Sequence, residues 1–260
     1  MKEVEIAGAL QIEGWMREKD LIWLAQQARE RNSICEIGTW KGRSAKVLAD
    51  HTQGSVFVVD TFLGSPEEIG HEEARSVEID NPKSVYKQFL TNLEDHLNSG
   101  KVKTFVGNSD DAATWLYERN YKFDMIFIDG SHEASQVERD IINYSKLLKE
   151  GGLICGHDCF FPPVMCSVNK LLKTFEFIPG TSIWTHTKEI LQKTLDELAT
   201  IHETDKGPLG HNYTKYYSQF FEPLRKSPVN LLEIGIFKGG SLRMWEEYFP
   251  EGYIHGIDIV

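Results

Sequence analysis

Residues 35–44 read Cys-Glu-Ile-Gly-Thr-Trp-Lys-Gly-Arg-Ser and continue a short apolar run. Glycines at positions 38 and 42 allow the sharp turn that lets a ligand approach the end of a strand. The spacing Glu-x-Gly-x-x-x-Gly differs from the Gly-x-Gly-x-x-Gly of pyrophosphate-binding loops, which favours a nucleoside ligand without a diphosphate. Asp60 ends the next apolar run, where its carboxylate can accept hydrogen bonds from both hydroxyls of a ribose.

Strand-like and helix-like patterns alternate along the chain around this stretch. Short apolar or alternating runs predict strands at residues 33–38, 55–60, 101–106, 123–129 and 152–156. Helical spacing of apolar residues lies over residues 20–31, 44–50, 83–97, 112–118, 135–149 and 164–174. A turn at Pro179-Gly180 predicts a closing hairpin. The order predicts an α/β domain over residues 1–187, with a Rossmann-like seven-stranded sheet, helices on both faces and one antiparallel strand.

The glycine-containing stretch recurs later in the chain. Residues 232–241 read Leu-Glu-Ile-Gly-Ile-Phe-Lys-Gly-Gly-Ser, and Asp258 ends a strand-like run after them, as Asp60 does in the first copy. Matching glycines, glutamate and distal aspartate indicate an internal repeat. Residues 188–260 are therefore expected to be the N-terminal portion of a second, incomplete domain, a partial βαβ unit. We favour a fragment of a longer tandem protein over a remnant domain.

The composition excludes several classes of partner. The chain has 28 basic and 39 acidic side chains, a formal net charge of −11, and no cluster of Lys and Arg. Nucleic acid and anionic membranes are therefore not expected as partners, because both require clustered positive charge. No apolar stretch approaches the ~20 residues of a membrane helix, and the N-terminus lacks an apolar signal core. With four cysteines, we expect a cytoplasmic protein with free thiols.

Polar side chains follow two of the predicted strands. Asp129 and His132 come after the run that ends at position 129, and His157 and Asp158 follow the next run. Parallel strands deliver these groups to one edge of the sheet, where two close carboxylates repel unless a cation lies between them. Oxygen ligands suit Mg²⁺, and His132 could act as a general base. Alternatively, Asp129 caps the next helix and His132 is a surface residue.

Five successive motifs resemble those of class I S-adenosylmethionine-dependent methyltransferases. They are CEIGTWKGRS, VFVVDTF, VGNSDD, FDMIFIDGSH and GGLICGHDC, and the resemblance covers roughly residues 15–187. It implies a cofactor site formed by Glu36, Gly38, Gly42, Ser44, Asp60, Asn108, Ser109 and Asp129. The Asn-Ser-Asp-Asp stretch also reads as the start of a helix, with a capping residue and acids in the first turn.

The metal-dependent small-molecule and sugar O-methyltransferases are the most similar group. They carry an aspartate after the fourth strand, a base three residues later and an acidic pair after the fifth strand, which implies Asp129, His132 and Asp158 here. The chain departs from the group at His157, where the sugar enzymes usually carry glutamate. With Asp129, His157 and Asp158 as ligands, Mg²⁺ is favoured, but Mn²⁺, Fe²⁺ or Zn²⁺ would also fit. The chain after residue 187 resembles the opening of the macrolide-sugar O-methyltransferases.

These features together predict an S-adenosylmethionine-dependent, divalent-metal-assisted O-methyltransferase. Its partner would be a small hydroxylated acceptor, such as a sugar, a polysaccharide or a polar natural product, and a homo-oligomer is expected. The alternatives are a metal-independent O- or N-methyltransferase and a non-catalytic cofactor-binding module that supports a second catalytic domain. The acidic loop at residues 61–81 either covers the acceptor pocket or is a solvated insertion. Phe160 and Trp184 are expected in the core.

Overall fold

The computed structural model describes residues 4–64, 84–188 and 193–259. The chain divides into two compact units, residues 1–190 and residues 191–260. Within the described ranges, no helix combines the length and the apolar character needed to cross a bilayer. The four cysteines all lie in the first unit as free thiols, with three buried and Cys166 exposed.

A seven-stranded sheet forms the centre of the first unit. Its strands are β1 (Ser33–Ile37), β2 (Ser55–Asp60), β3 (Val102–Val106), β4 (Phe123–Ile128), β5 (Leu148–Gly156), β6 (Glu176–Phe177) and β7 (Trp184–Thr187). The spatial order is β3-β2-β1-β4-β5-β7-β6. Strands β1 to β5 pair in parallel, and β7 runs antiparallel to both β5 and β6. The predicted Rossmann-like sheet with one antiparallel strand is confirmed.

Helices cover both faces of this sheet. They are α1 (Ala7–Leu10), α2 (Glu18–Ala28), α3 (Arg43–His51), α4 (Val85–Asn92), α5 (Glu94–Asn98), α6 (Ser109–Glu118), α7 (Ala134–Ser145) and α8 (Pro162–Leu171). Alternate residues of each strand enter opposite cores: Val58 packs with Leu24 and Phe89 on one side, and Val59 packs with Tyr144 on the other. Burial on both faces explains why the parallel strands are continuous apolar runs.

Two predicted helices differ from the structure. The helix expected over residues 83–97 is broken at Leu93, whose backbone leaves the helical region with φ −111° and ψ 13°, and it becomes α4 and α5. The helix expected over residues 135–149 ends at Ser145. Leu148 instead pairs with Phe123 as β5 begins alongside β4. Strand pairing, which the periodicity of apolar residues does not reveal, overrides the helical pattern there.

The second unit contains a parallel pair of strands joined by a helix. Its elements are α9 (Leu195–Ile201), α10 (Thr214–Phe221), a short 3₁₀ turn (Glu222–Leu224), β8 (Asn230–Ile234), α11 (Gly240–Tyr248) and β9 (Tyr253–Ile257). One face of the β8–β9 pair packs on a cluster built around Trp245 and Phe249. The other face exposes Leu232, Ile234 and Ile257. The arrangement is the partial βαβ unit that the repeat predicts.

Candidate active site

The glycine turn after β1 lies against the end of β4. Gly38 and Gly42 adopt positive φ angles of 81° and 90°, and Trp40 between them has φ 50°. A Cβ atom on Gly38 would lie 2.1 Å from the carbonyl oxygen of Asp129. Only glycine fits this position, because any side chain would collide with the backbone that follows β4. The turn therefore brings the glycine motif directly beside Asp129.

Asp60 holds the glycine turn in shape. Its Oδ2 accepts hydrogen bonds from the backbone N–H groups of Thr39 and Trp40, both at 2.7 Å, and its Oδ1 accepts one from Phe62 at 2.7 Å. Burial raises the pKa of Asp60, and these hydrogen bonds oppose the rise. A carboxylate offers about four lone-pair sites. Fewer acceptor sites therefore remain for a ribose than the sequence suggested.

Glu36 is a fully buried carboxyl group without a hydrogen-bond partner among the described residues. Burial raises its pKa to about 8, and the nearby hydroxyls of Ser44 and Thr39 oppose the rise without reaching normal hydrogen-bond geometry. Ser44 lies in the first turn of α3 and is itself buried. A buried polar group that lacks a partner costs free energy. The pair of unused oxygen atoms therefore suits a positively charged part of a ligand.

The side chains of Asn108 and Ser109 are engaged at the start of α6. Asn108 Oδ1 accepts a hydrogen bond from the N–H of Asp111 at 2.8 Å, as a helix-capping residue does. The hydroxyl of Ser109 donates to Asp140 at 2.6 Å. Asp140 is buried, and burial raises its pKa to about 6. The capping interpretation of this stretch therefore describes what the side chains do here.

Four polar side chains converge at the carboxyl ends of β4 and β5. His157 Nδ1 lies 3.1 Å from Asp158 Oδ2 and 3.6 Å from Asp129 Oδ1. His132 Nε2 lies 2.8 Å from the same Asp158 oxygen. Asp158 adopts φ 56°, a left-handed backbone that is uncommon for residues other than glycine and often marks a functional site. Asp129, His132, His157 and Asp158 therefore form one cluster, as the strand order predicts.

The charges in this cluster balance one another. Burial lowers the pKa of His157, but Asp129 and Asp158 outweigh that effect and raise it to about 9. Burial raises the pKa of Asp129 to about 6, with His157 opposing and Asp158 adding to the rise. Burial also acts on Asp158, yet the hydrogen bonds with His132 and His157 hold its pKa well below the ordinary value. An imidazolium thus compensates the two carboxylates.

The ligand atoms of Asp129, His157 and Asp158 can meet at one cation. One atom from each side chain lies within 4.8 Å of the other two. A nitrogen and two carboxylate oxygens are a donor set that divalent metals accept. His157 Nε2 is buried without a hydrogen-bond partner in the described part of the chain, so Nδ1 is the nitrogen directed at the two acids. The residues present fit a divalent metal.

Sequence reasoning missed two residues of this region. Asp20 in α2 is fully buried, and its Oδ2 lies 3.7 Å from His157 Nε2. The ring of Phe161 lies 5.1 Å from the ring of His132. An aspartate in the first turn of a helix ordinarily signals only helix capping, so spacing alone gave no reason to place Asp20 at the site.

Two expectations on aromatic residues and one on the acidic loop can be compared with the structure. Trp184 is buried, as predicted, but the core assignment of Phe160 is wrong, because this side chain is 70% exposed. It follows Asp158 in a turn at the sheet edge, where no helix covers it. The loop at residues 61–81 lies mostly outside the described residues, which include only its first four positions.

Residues 35–159 match the family model of a methyltransferase domain. The first unit, which contains the matched stretch, has the fold of known methyltransferases. Its fold is similar to that of an O-methyltransferase from Bacillus cereus solved in complex with SAH, at a TM-score of 0.51 and 16% identity over 72% of this chain and 92% of that chain. It is also similar to the calicheamicin methyltransferase CalS11, at a TM-score of 0.52 and 14% identity over 66% of this chain and 80% of that chain.

Part of the chain is similar to two sugar O-methyltransferases. It is 45% identical over 71 residues to the 8-demethyl-8-(2-methoxy-alpha-L-rhamnosyl)-tetracenomycin-C 3'-O-methyltransferase of Streptomyces olivaceus, a match covering 25% of this chain and 18% of that protein. It is 36% identical over 107 residues to the 8-demethyl-8-alpha-L-rhamnosyl tetracenomycin-C 2'-O-methyltransferase of the same organism, covering 38% and 24% respectively. The chain thus spans about a fifth of the length of the curated relatives it matches, 18% and 24% of these two proteins.

Proposed function

We propose that the first unit transfers a methyl group from S-adenosylmethionine to a hydroxyl of a sugar or polar natural product, with assistance from a divalent metal. The observation that supports it most is the convergence of Asp129, His132, His157 and Asp158 at the sheet edge, beside the glycine turn. The methyltransferase family match over residues 35–159 supports the same reaction class.

The cofactor would bind along the ends of β1, β2 and β4. S-adenosylmethionine supplies an electrophilic methyl group carried on a sulfonium. In our proposal Glu36 faces the cationic methionine end, because its buried oxygen atoms have no other partner in the described chain. Gly38, Gly42 and Ser44 line the turn, and Asp60 offers its remaining acceptor site to the ribose. Asn108 and Ser109 would contribute the backbone of the α6 turn near the adenine.

His132 is the proposed general base. Its Nε2 faces Asp158, which fixes the direction of the ring, and it lies three residues after Asp129. A divalent metal held by Asp129, His157 and Asp158 would lower the pKa of an acceptor hydroxyl and orient it. His132 would accept the hydroxyl proton as the acceptor oxygen bonds to the methyl carbon and the carbon–sulfur bond breaks, which releases S-adenosylhomocysteine. Holding both reactants in line would supply much of the acceleration.

A second candidate keeps the methyl transfer but needs no metal. It is favoured by the geometry of His157, whose Nδ1 already lies 3.1 Å from Asp158 and 3.6 Å from Asp129. An imidazolium there balances the carboxylates, since its pKa is raised to about 9. His132 would then act as base without further help. Activity that survives complete chelation would favour this candidate.

The proposal is tested with purified protein in three measurements. Calorimetry with S-adenosylhomocysteine measures cofactor binding, and electron paramagnetic resonance of free Mn²⁺ measures metal binding. Methyl transfer from radiolabelled cofactor is then assayed with 8-demethyl-8-alpha-L-rhamnosyl tetracenomycin C, the acceptor that the name of one relative gives. We expect cofactor and metal to bind and turnover to require the metal. Failure to bind S-adenosylhomocysteine would refute the proposal.

We also propose that the second unit is the beginning of a second methyltransferase-like domain. Its turn repeats the first one: Gly235, Phe237 and Gly239 have φ angles of 91°, 51° and 74°. Asp258 Oδ2 accepts hydrogen bonds from two backbone N–H groups of that turn, at 2.8 and 2.9 Å, as Asp60 does in the first unit. A cytoplasmic location and a homo-oligomeric state stay predictions from the sequence.

A further inference from the structure

Asp20 is a buried anion that the proposed chemistry does not use. Its carboxylate accepts hydrogen bonds from the backbone N–H of Arg17 at 3.0 Å, from Arg17 Nε at 3.2 Å and from the backbone N–H of Ser182 at 2.8 Å. Burial raises its pKa, but these hydrogen bonds outweigh that effect and lower it. Asp20 is therefore an ionised group held rigidly between α2 and the hairpin that ends in β7.

The imidazole of His157 lies between Asp20 and the two acids at the strand ends. Its Nδ1 is directed at Asp129 and Asp158, at 3.6 and 3.1 Å. Its Nε2 is buried and lacks a hydrogen-bond partner among the described residues. The Oδ2 atom of Asp20, at 3.7 Å, is an anion facing that nitrogen. A buried N–H group without an acceptor nearby costs free energy. The ring orientation that directs Nε2–H at Asp20 is therefore favoured.

We propose that Asp20 is a positioning residue: it attracts the Nε2–H of His157 and thereby keeps Nδ1 turned towards Asp129 and Asp158. Histidine ligands commonly direct their second ring N–H at a carboxylate or carbonyl, which fixes the ring and the nitrogen that remains for the ligand. The role assigned to Nδ1 rests on the proposed function, whereas the ring orientation does not. The interaction couples α2, which precedes the sheet in the chain, to the ends of β4 and β5.

A purely structural role for Asp20 makes a different prediction. Acids in the first turn of a helix bind backbone N–H groups and favour the helix start, and Asp20 does this for α2. If that were its whole role, its removal would loosen α2 and the hairpin but leave the His157 ring unchanged. The two roles are therefore separated by a signal from the ring itself.

Asp124 provides a matched control within the same unit. Its carboxylate accepts two backbone N–H groups, from Asn32 and Ser33, both at 3.0 Å, and pairs with Lys149 at 2.6 Å. It lies at the beginning of β4, which is the edge of the sheet opposite the cluster. Its substitution removes a comparable set of hydrogen bonds without approaching His157.

The deciding experiment is nuclear magnetic resonance of the whole chain labelled with ¹⁵N-histidine, without added metal. The Nε2–H signal of His157 is assigned by its loss in His157→Gln. We expect this signal to be protected from solvent exchange in the wild type and in Asp124→Asn, and to be lost in Asp20→Ala. If Asp20→Ala does not fold, Asp20→Asn decides, because it removes the charge and replaces one of the two acceptor oxygen atoms, which Arg17 and Ser182 use separately, by an NH₂ group. A His157 signal unchanged in the folded Asp20 variant overturns the proposal.

Mn²⁺ binding gives a second readout that needs neither cofactor nor acceptor. We expect Asp20→Ala to weaken Mn²⁺ binding by roughly 10- to 100-fold, and Asp124→Asn to leave it unchanged. An equal loss in both variants would assign a structural role to Asp20 and overturn the proposal. Wild-type protein that binds no Mn²⁺ would refute the metal part of the proposed function, while the ring signal would still decide the role of Asp20.

Discussion

Glu36 and Glu233 occupy equivalent positions in the two copies of one motif, yet only Glu233 has hydrogen bonds of normal geometry in the described chain. Glu233 accepts hydrogen bonds from Ser241 at 2.5 Å and Trp245 at 3.0 Å, and pairs with Lys206 at 2.8 Å. Glu36 has no hydrogen-bond partner in the described chain. The same residue type thus stabilises one unit and, when ionised, destabilises the other.

Glu36→Gln tests the cost of burying this carboxyl group. The folded-state pKa of Glu36 is about 8, against 4.5 as the ordinary value. Because the folded state holds the proton more tightly, stability is fully present below pH 4.5 and is lost as the pH rises towards 8. The substitution should raise the free energy of unfolding by up to about 3 kcal/mol at pH 7, have little effect near pH 4.5, and weaken binding of S-adenosylhomocysteine. Urea unfolding at several pH values and calorimetry measure both effects.

Glu233→Gln is the matched control for that prediction. Because Glu233 already has three partners, its substitution should destabilise the protein rather than stabilise it. If Glu36→Gln also lowers stability at pH 7, the buried Glu36 carboxyl does not destabilise the folded state.

His132→Gln tests the proposed general base. Loss of a general base typically lowers turnover by about 10²- to 10⁴-fold, and affinity for S-adenosylhomocysteine should not change, because His132 is not assigned to the cofactor. His96→Gln is the control: His96 Nε2 lies 2.7 Å from Asp50 in a similar pair away from the site. Steady-state kinetics and calorimetry provide the test. Normal turnover by His132→Gln would exclude this residue as the base.

At the level of single elements, the turn between β1 and α3 sets the geometry of the site. The sequence predicted this turn from its two glycines, because glycine is required wherever the backbone has positive φ and no room for a side chain. The sequence did not predict that Asp60 stabilises the turn. Three backbone N–H groups donate hydrogen bonds to its carboxylate only once the turn has formed. Residue spacing locates a motif but does not show which of its polar groups bind the protein backbone and which remain for a ligand.

Gly38→Ala tests this turn. The new Cβ atom would lie 2.1 Å from the carbonyl oxygen of Asp129, at a φ of 81°. The strained backbone alone costs roughly 1–3 kcal/mol, and the collision must add to it by displacing the end of β4. Gly100→Ala has a similar φ of 73° but nothing within 4 Å of the new atom. We expect a much larger fall in melting temperature and a loss of S-adenosylhomocysteine binding only for Gly38→Ala. Equal effects would show that the close approach to Asp129 is unimportant.

For the whole molecule, the alternation of apolar runs predicted a mostly parallel sheet and the edge of that sheet where Asp129, His132, His157 and Asp158 meet. It did so because parallel strands with crossover helices all end at the same edge. Asp20 could not be found this way, since it reaches the cluster from α2 through packing rather than through strand order. The exposed position of Phe160 was missed for a related reason: an apolar residue in a turn is buried only if another element covers it.

The division into two units leads to the last prediction. The two cores of the first unit and all of its candidate site residues lie between residues 4 and 188. Expressed alone, residues 1–190 should therefore unfold in one cooperative transition and bind S-adenosylhomocysteine as the full chain does. Residues 191–260 should instead associate in solution, because Ile234 and Phe237 are 81% and 89% exposed beside a small core. Thermal melts, calorimetry and size-exclusion chromatography separate these outcomes. If residues 1–190 fold but do not bind S-adenosylhomocysteine, the assignment of the cofactor site to the first unit is wrong.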